Sequence, residues 1–316
     1  MGSAMRRTLA VAALAAVPAL TVVAAQPAAA ATSASAATAH HALGAHATAF
    51  TGYDMVGSDG GVFVFPVGQS GGFYGSLPGL NDKVNNIIGM VGSASGKGYY
   101  LVGSDGGVFA FGDVSFAGSL PGLGDKVNNI VGIVSTGTGK GYYLVGSDGG
   151  VFAFGDAPFL QSLPGLGIHV SNVRSIITKA DLSGYWLIAG DGMIYNFGTA
   201  APYPQLTCPA GADCSSITGG AVTSTGNGLW ITDNYADVFT FGDAPFLGGF
   251  NSVPISGSPS DIVSLVAPSP NDDGYFLFGA DGGVFNYGTA KYAGSLPALG
   301  VHVTNVVGAV PTVSGS

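Results

Sequence analysis

An all-β fold made of one unit written six times is what this sequence predicts, on three observations. The stretch GYYLVGSDGGVFAFGD at Gly98–Asp113 recurs letter for letter at Gly141–Asp156, and looser copies begin at Gly52, Gly184, Gly228 and Gly274. The units Gly52–Lys97, Gly98–Lys140, Gly141–Ser183, Gly184–Asn227, Gly228–Asp273 and Gly274–Ser316 are 43 to 46 residues long. That period fits a four-stranded propeller blade and exceeds those of ankyrin, tetratricopeptide and leucine-rich repeats. Finally, no window joins a capping residue to an apolar 3.6 period free of glycine, whereas 54 glycines and many aromatics suit tight turns and strands. The prediction is a six-bladed β-propeller.

Each unit reads as four strands. Tyr99–Gly103 is a short apolar strand, and Ser104-Asp105-Gly106-Gly107 is a hairpin turn, because Asp-Gly readily takes the positive φ of a tight turn. Val108–Phe111 is the partner, Ser115–Leu120 a third strand after the Gly112-Asp113 turn, and Asn129–Val134 a fourth. The fourth is apolar on both faces, and its third column (Gly89, Gly132, Ser175, Gly219, Ser264, Gly308) is small throughout. Strands converging on an axis crowd there, so this is predicted to be the innermost strand. The chain then starts on the second strand of a blade, and Val306–Val310 completes the first blade by pairing with Tyr53–Val56. Ala47–Phe50 competes for that slot. Closure of this kind removes an exposed sheet edge.

The N-terminus reads differently. Met5-Arg6-Arg7, an apolar run from Leu9 to Ala25 and the small residues Ala28–Ala31 form a secretory signal over residues 1–30. Residues 31–51 are a low-complexity leader, and residues 52–316 form the propeller. Nothing after the signal is long and apolar enough to span a bilayer, so the mature chain is expected to be secreted, extracellular or attached to the cell surface. His40, His41 and His46 in the leader have no Cys or carboxylate beside them and read as solvated rather than metal-binding. In an exported chain Cys208 and Cys214 read as a local disulfide closing a small loop.

All 18 acidic residues are Asp, and there is no Glu. Without Arg6 and Arg7, seven Lys and Arg remain against 18 Asp, a net charge of −11. That balance argues against nucleic acid and anionic lipid as partners.

The repeat resembles a family of secreted actinobacterial proteins with units of the form GYWLVASDGGVFAFGDAPFYGS and a PDGKG-like closing turn. Gly141–Leu160, GYYLVGSDGGVFAFGDAPFL, matches closely, and looser matches cover nearly all of Gly52–Ser316. In that family the repeats often accompany cell-wall or polysaccharide hydrolase modules, and it implies no catalytic residue here.

Tyr99, Tyr142, Tyr185 and Tyr275, and likewise Phe109, Phe152, Tyr195, Phe239 and Phe285, read as packing between blades, with sugar stacking as the alternative. Asp59, Asp105, Asp148, Asp191 and Asp281 share one turn, and Asp113, Asp156 and Asp243 another. A catalytic residue is normally unique, whereas a turn residue repeats with its turn, so these read as turn formers. Calcium is conceivable on such a ring but no motif supports it, and no cofactor is predicted. There is no Gly-x-Ser-x-Gly elbow, P-loop or His-Glu-x-x-His motif. Glycoside cleavage by paired Asp depends on three-dimensional spacing.

The candidate ligand-binding residues are the column Asn86, Asn129, Asn172, Ser216, Asp261 and Asn305, expected to ring one mouth of the channel, together with Arg174. Arg174 is the one arginine outside the signal, and it stands where other units carry Ile88, Val131, Thr218, Val263 and Val307. His169 and His302 share a column with Lys83 and Lys126, on blades too far apart for joint metal ligation. The repeat breaks at the Cys208–Cys214 loop and at Thr232–Asp237, where TDNYAD replaces the usual turn, with Trp186 and Trp230 near in sequence. The expected function is a binding or surface-interaction module for extracellular or cell-envelope carbohydrate. A polysaccharide hydrolase or lyase using Asp, and a scaffold for surface proteins, are the alternatives.

Overall fold

The structure, a computed structural model, describes residues 50–68, 72–207, 216–250, 261–268 and 271–313. Its strands are β1 (Phe50–Gly57), β2 (Val62–Pro66), β3 (Ile87–Gly92), β4 (Gly98–Gly103), β5 (Val108–Gly112) and β6 (Ile130–Ser135). They continue as β7 (Tyr142–Gly146), β8 (Val151–Phe154), β9 (Val173–Thr178), β10 (Gly184–Ala189), β11 (Ile194–Gly198) and β12 (Ile217–Val222). The last are β13 (Gly228–Asp233), β14 (Val238–Gly242), β15 (Ile262–Val266), β16 (Gly274–Gly279), β17 (Val284–Gly288) and β18 (Val306–Val313).

They form six three-stranded antiparallel sheets. The first is β18-β1-β2; the second to sixth are β3-β4-β5, β6-β7-β8, β9-β10-β11, β12-β13-β14 and β15-β16-β17. The chain therefore enters on a middle strand, and its C-terminal strand completes the first sheet. Tyr53 faces Pro311, Asp54 faces Val310, Met55 faces Ala309 and Val56 faces Gly308. The leading strand of each sheet packs on that of the next, from β3 through β6, β9, β12 and β15 to β18, and β18 also packs on β3.

The core is not one central mass. Each of six apolar clusters is built from two consecutive sheets, including one between the sixth and the first. Tyr99, Tyr142, Tyr185, Trp186, Trp230 and Tyr275 are all 0–1% exposed in these seams. Fully burying a side chain of this kind contributes about 1.5–3 kcal/mol relative to leaving it in water.

The small column does what crowding demands. A Cβ on Gly308 would stand 3.4 Å from the Gly89 Cα, and one on Gly132 would meet Val145 at 3.0 Å and Ile176 at 3.8 Å. The residue just before it is a β-bulge in every sheet: pairing skips Ile88, Val131, Arg174, Thr218, Val263 and Val307. A bulge re-aims its side chain and bends the strand.

Two sequence expectations are corrected. Ser115–Leu120 is not a strand, and among the described residues each sheet has three strands rather than four. The equivalent segments contain Pro158, Pro202 and Pro245, which cannot donate to a ladder, and Gly118 with φ +130°. They run instead as outer straps pinned by tyrosines of the next sheet: Tyr99 Oη donates to the Gly75 carbonyl at 2.5 Å, and Tyr53, Tyr142, Tyr185 and Tyr275 do the same for Gly294, Gly118, Gln161 and Gly248. The expectation of no helix also gives way to single turns at Pro78–Leu80, Leu120–Leu123, Pro164–Leu166 and Pro297–Leu299. Each follows a strap at the motif Leu-Pro-Gly/Ala-Leu, where a proline in the first or second helical position is already set for a helical φ.

β1 begins at Phe50, within the segment assigned by sequence to the leader, and Phe50 pairs with Val313. The signal segment, the leader histidines, Ala47 and both cysteines lie outside the described residues. Among the described residues no helix is long and apolar enough to cross a membrane.

Candidate functional site

The six candidate ring residues do lie at equivalent places, and their backbones are already occupied. The Asn86 carbonyl accepts from the Ser104 N–H at 2.9 Å, and the Ser104 carbonyl accepts from Ile130 at 3.0 Å, at the head of the next sheet. The same pair of bonds runs through Asn129–Ser147–Val173, Asn172–Gly190–Ile217, Ser216–Asn234–Ile262, Asp261–Ala280–Val306 and Asn305–Ser58–Ile87. Every sheet-to-sheet junction is thus sewn by one turn residue whose N–H serves its own sheet and whose C=O serves the next.

Some of the side chains are occupied as well. Asn86 Nδ2 donates to Asp105 Oδ1 at 3.1 Å, over Gly103. A Cβ on Gly103 would stand 2.6 Å from Asp105 Oδ1 and 2.9 Å from Asn86 Nδ2; Gly146, between Asp148 and Asn129, and Gly57, between Asp59 and Asn305, are in the same position. The turn aspartates accept from the amide two residues on, Asp105 from Gly107 at 3.0 Å and likewise Asp59, Asp148, Asp191 and Asp281. At the opposite end Asp113, Asp156 and Asp243 accept from Ser95, Thr138 and Thr225. The repeated carboxylates are turn and strap fasteners.

The fifth sheet rebuilds this arrangement. Ser216 replaces the column asparagine and Tyr235 replaces the turn aspartate, which vacates the space over the first turn residue. Asp233 fills it, in place of the glycine of Gly103 or Gly146. It is 2% exposed, and its Oδ1 accepts from Tyr235 N at 3.0 Å and Asp237 N at 2.9 Å. Burial pushes its pKa up to about 6, with the Asp237 charge acting in the same direction and the two amides opposing. Ala236 takes the positive φ, +67°, that glycine supplies in the other turns. Tyr235 is thereby held at the tip, 54% exposed, and beside it Asn234 Oδ1 is buried with no hydrogen-bond partner among the described residues.

Arg174, in the fourth sheet, is half-buried on its bulge. Its Nε lies 3.2 Å from where a Cβ on Gly190 would stand. The Gly190 carbonyl accepts from Ile217, next to Ser216, whose own carbonyl accepts from Asn234. Arg174 and the Asn234–Tyr235 tip therefore belong to one arc, continued by the exposed Asp261 at the head of the sixth sheet. Lys83, Lys126, His169 and His302 are exposed in the loops that lead into β3, β6, β9 and β18, in four different sheets. Among the described residues no group of three His, Cys or Asp is placed to hold a metal ion.

Trp186 and Trp230 take no part in the arc. Both are fully buried, and their indole N–H groups donate to the strap carbonyls of Ala201 and Pro245. One column escaped sequence reasoning: Phe73, Phe116, Phe159, Phe246 and Tyr292 stand 49–58% exposed on the straps. Their signal was an aromatic two residues before the carbonyls pinned by the buried tyrosines.

Neither a family model nor a curated protein sequence matches this chain. Among solved structures, a chain of the nidogen/laminin complex, a propeller-type structure, is similar with a TM-score of 0.54 at 13% identity, covering 84% of this chain and 100% of that one. At that identity the likeness concerns the fold alone.

Proposed function

We propose that this chain is a closed six-bladed β-propeller, secreted, and that it binds extracellular or cell-envelope carbohydrate on the arc formed by Arg174, Ser216, Asn234, Tyr235 and Asp261. The observation that carries this is the rebuilt turn of the fifth sheet, which holds Tyr235 54% exposed at its tip, next to the partly exposed Asn234. A flat, half-exposed tyrosine offers an apolar face to a sugar ring and a hydroxyl at its rim, and a few fixed polar groups around it give orientation. Closure draws support from the β18–β1 pairing and from the turn bonds at all six junctions.

Binding is favoured over hydrolysis because the repeated carboxylates are engaged in turns and straps. Even Asp233, with its raised pKa, spends its Oδ1 on two backbone amides. A cell-wall target is in keeping with the secreted repeat family that the units resemble.

A glycan array on the chain without its signal, run beside a polysaccharide-hydrolysis screen, tests the proposal. Saturable binding without turnover, lost in Tyr235→Ala, is expected. Turnover abolished by one Asp substitution would establish the hydrolase, and no glycan bound with a protein partner copurifying would establish the scaffold.

A further inference from the structure

Asp54 occupies a position given to large aromatics elsewhere. The second to fifth sheets have Tyr100, Tyr143, Trp186 and Trp230 there, and the sixth has Phe276, each buried in the seam to the following sheet. Four of them donate to a strap carbonyl: Tyr100 to Ser115, Tyr143 to Pro158, Trp186 to Ala201 and Trp230 to Pro245, at 2.7–2.8 Å. Asp54 is 1% exposed, and its Oδ1 has no hydrogen-bond partner among the described residues.

The missing volume is restored from the strap. Tyr74 stands where the second and third sheets have Ala117 and Leu160. Its hydroxyl donates to the Gly96 carbonyl at 3.0 Å, the counterpart of the Gly139 carbonyl that Tyr100 reaches at 3.2 Å. Its ring meets Tyr99 edge-on, with centroids 5.8 Å apart. A tyrosine from the strap has taken over the aromatic's work and left a carboxyl in the seam.

The location gives this carboxyl leverage. Asp54 is on β1, opposite Val310 of the terminal strand on one side and Val64 of β2 on the other. We infer that Asp54 is a pH-operated latch on the terminal strand. Neutral, it stays dry in the seam and β18 stays zipped to β1; once its proton is lost to solvent, the carboxylate draws water into the seam and loosens β18.

The charged and titratable groups that bear on it offer no compensation. Tyr99 of β4 and Tyr74 of the strap both feel the Asp54 charge, Tyr74 also feels Asp113, and none of the three is a cation. Burial alone pushes the Asp54 pKa from 3.8 up to about 8. Between those values the folded chain holds a proton that the unfolded chain has lost, so stability is full below about pH 4 and falls as pH rises toward about 8. Within that window one such proton changes the folded-to-unfolded ratio by about tenfold per pH unit.

The test follows amide-exchange protection of β18 and the unfolding midpoint from about pH 6 to 8, in the chain without its signal. In the natural protein both should fall as pH rises, with β18 losing protection before β9 and β10. Asp54→Asn should flatten both curves. Should that variant fail to fold, Asp54→Phe with Tyr74→Ala, which restores the pattern of the sixth sheet, should fold and be flat. A natural protein with no pH slope, or a folded variant that keeps the natural slope, would overturn the latch.

Discussion

The Ser58 N–H donates to the carbonyl oxygen of Asn305 at 2.8 Å, joining residues from opposite ends of the described chain through a bond that every other sheet makes locally. Ser58 then accepts from Ile87 at 3.1 Å and passes the connection to the second sheet. The first sheet is thus made from both ends of the chain and yet carries the same fastening as the rest.

Truncation before Val306 should therefore do more than trim a terminus. It removes β18 and with it Val306, Ala309 and Val310, all 0–2% exposed, and leaves β1 as a bare edge. The truncated chain is expected to lose its single cooperative unfolding transition and to aggregate, as read by calorimetry and light scattering.

Gly146→Ala should destabilise by about 1–3 kcal/mol, because the new methyl must displace the Asp148 carboxylate or the Asn129 amide. The same position in the fifth sheet holds Asp233, since Ser216 and Tyr235 have vacated that space. Asp148→Tyr with Asn129→Ser should accordingly recover most of the loss in a Gly146→Asp background. Chemical denaturation of the four proteins checks it.

The straps are held by hydroxyls rather than by ladders. Tyr142→Phe removes the bond to the Gly118 carbonyl and should cost about 0.5–1.5 kcal/mol while exposing the 113–119 strap to proteolysis. Phe116→Ala on the same strap, where the ring is 58% exposed, should leave stability within about 0.5 kcal/mol. Limited proteolysis with denaturation curves separates the two.

Asp233 adds a pH dependence of its own. Its pKa is raised in the folded chain to about 6, so the stability it contributes is full below its ordinary value of 3.8 and declines as pH rises through about 6. Asp233→Asn should remove its share of the slope between about pH 4 and 6 and leave the Asp54 share, which runs on toward about pH 8. Thermal midpoints across this range are the measurement.

Much of this was readable in the sequence because turns and repeats are local. Asp105-Gly106 had to turn, the column from Gly89 to Gly308 had to sit where backbones crowd, and Val306–Val310 had to find Tyr53–Val56 or leave an edge. What could not be read depends on contacts between units. The strap at Ser115–Leu120 has the composition of a strand, and only its neighbour's Tyr142 shows what holds it. The Asn129 column has the composition of a binding ring, yet its carbonyls fasten the sheets and Asn129 packs on Gly146. Asp54 was not among the breaks read from the repeat, because its meaning needs Tyr74, which fills the seam from another segment. Arg174 and Thr232–Asp237 were visible as breaks in the repeat, and the bond from Ile217 to Gly190 shows that they belong to one arc.

Arg174→Val tests whether that arc is for binding or for stability. The bulge already carries valine in the third, sixth and first sheets, so unfolding should be unchanged or slightly delayed, while glycan affinity should fall.

The most direct measurement is calorimetric titration of the best glycan from an array into the natural protein, Tyr235→Ala and Phe116→Ala. Both variants remove an exposed aromatic, one on the rebuilt turn and one on a strap. A loss of affinity of about tenfold or more in Tyr235→Ala, consistent with about 1.4 kcal/mol or more of lost stacking, with Phe116→Ala unchanged, is the result expected. Binding that survives in Tyr235→Ala and is lost in Phe116→Ala would contradict it and place the contact on the straps.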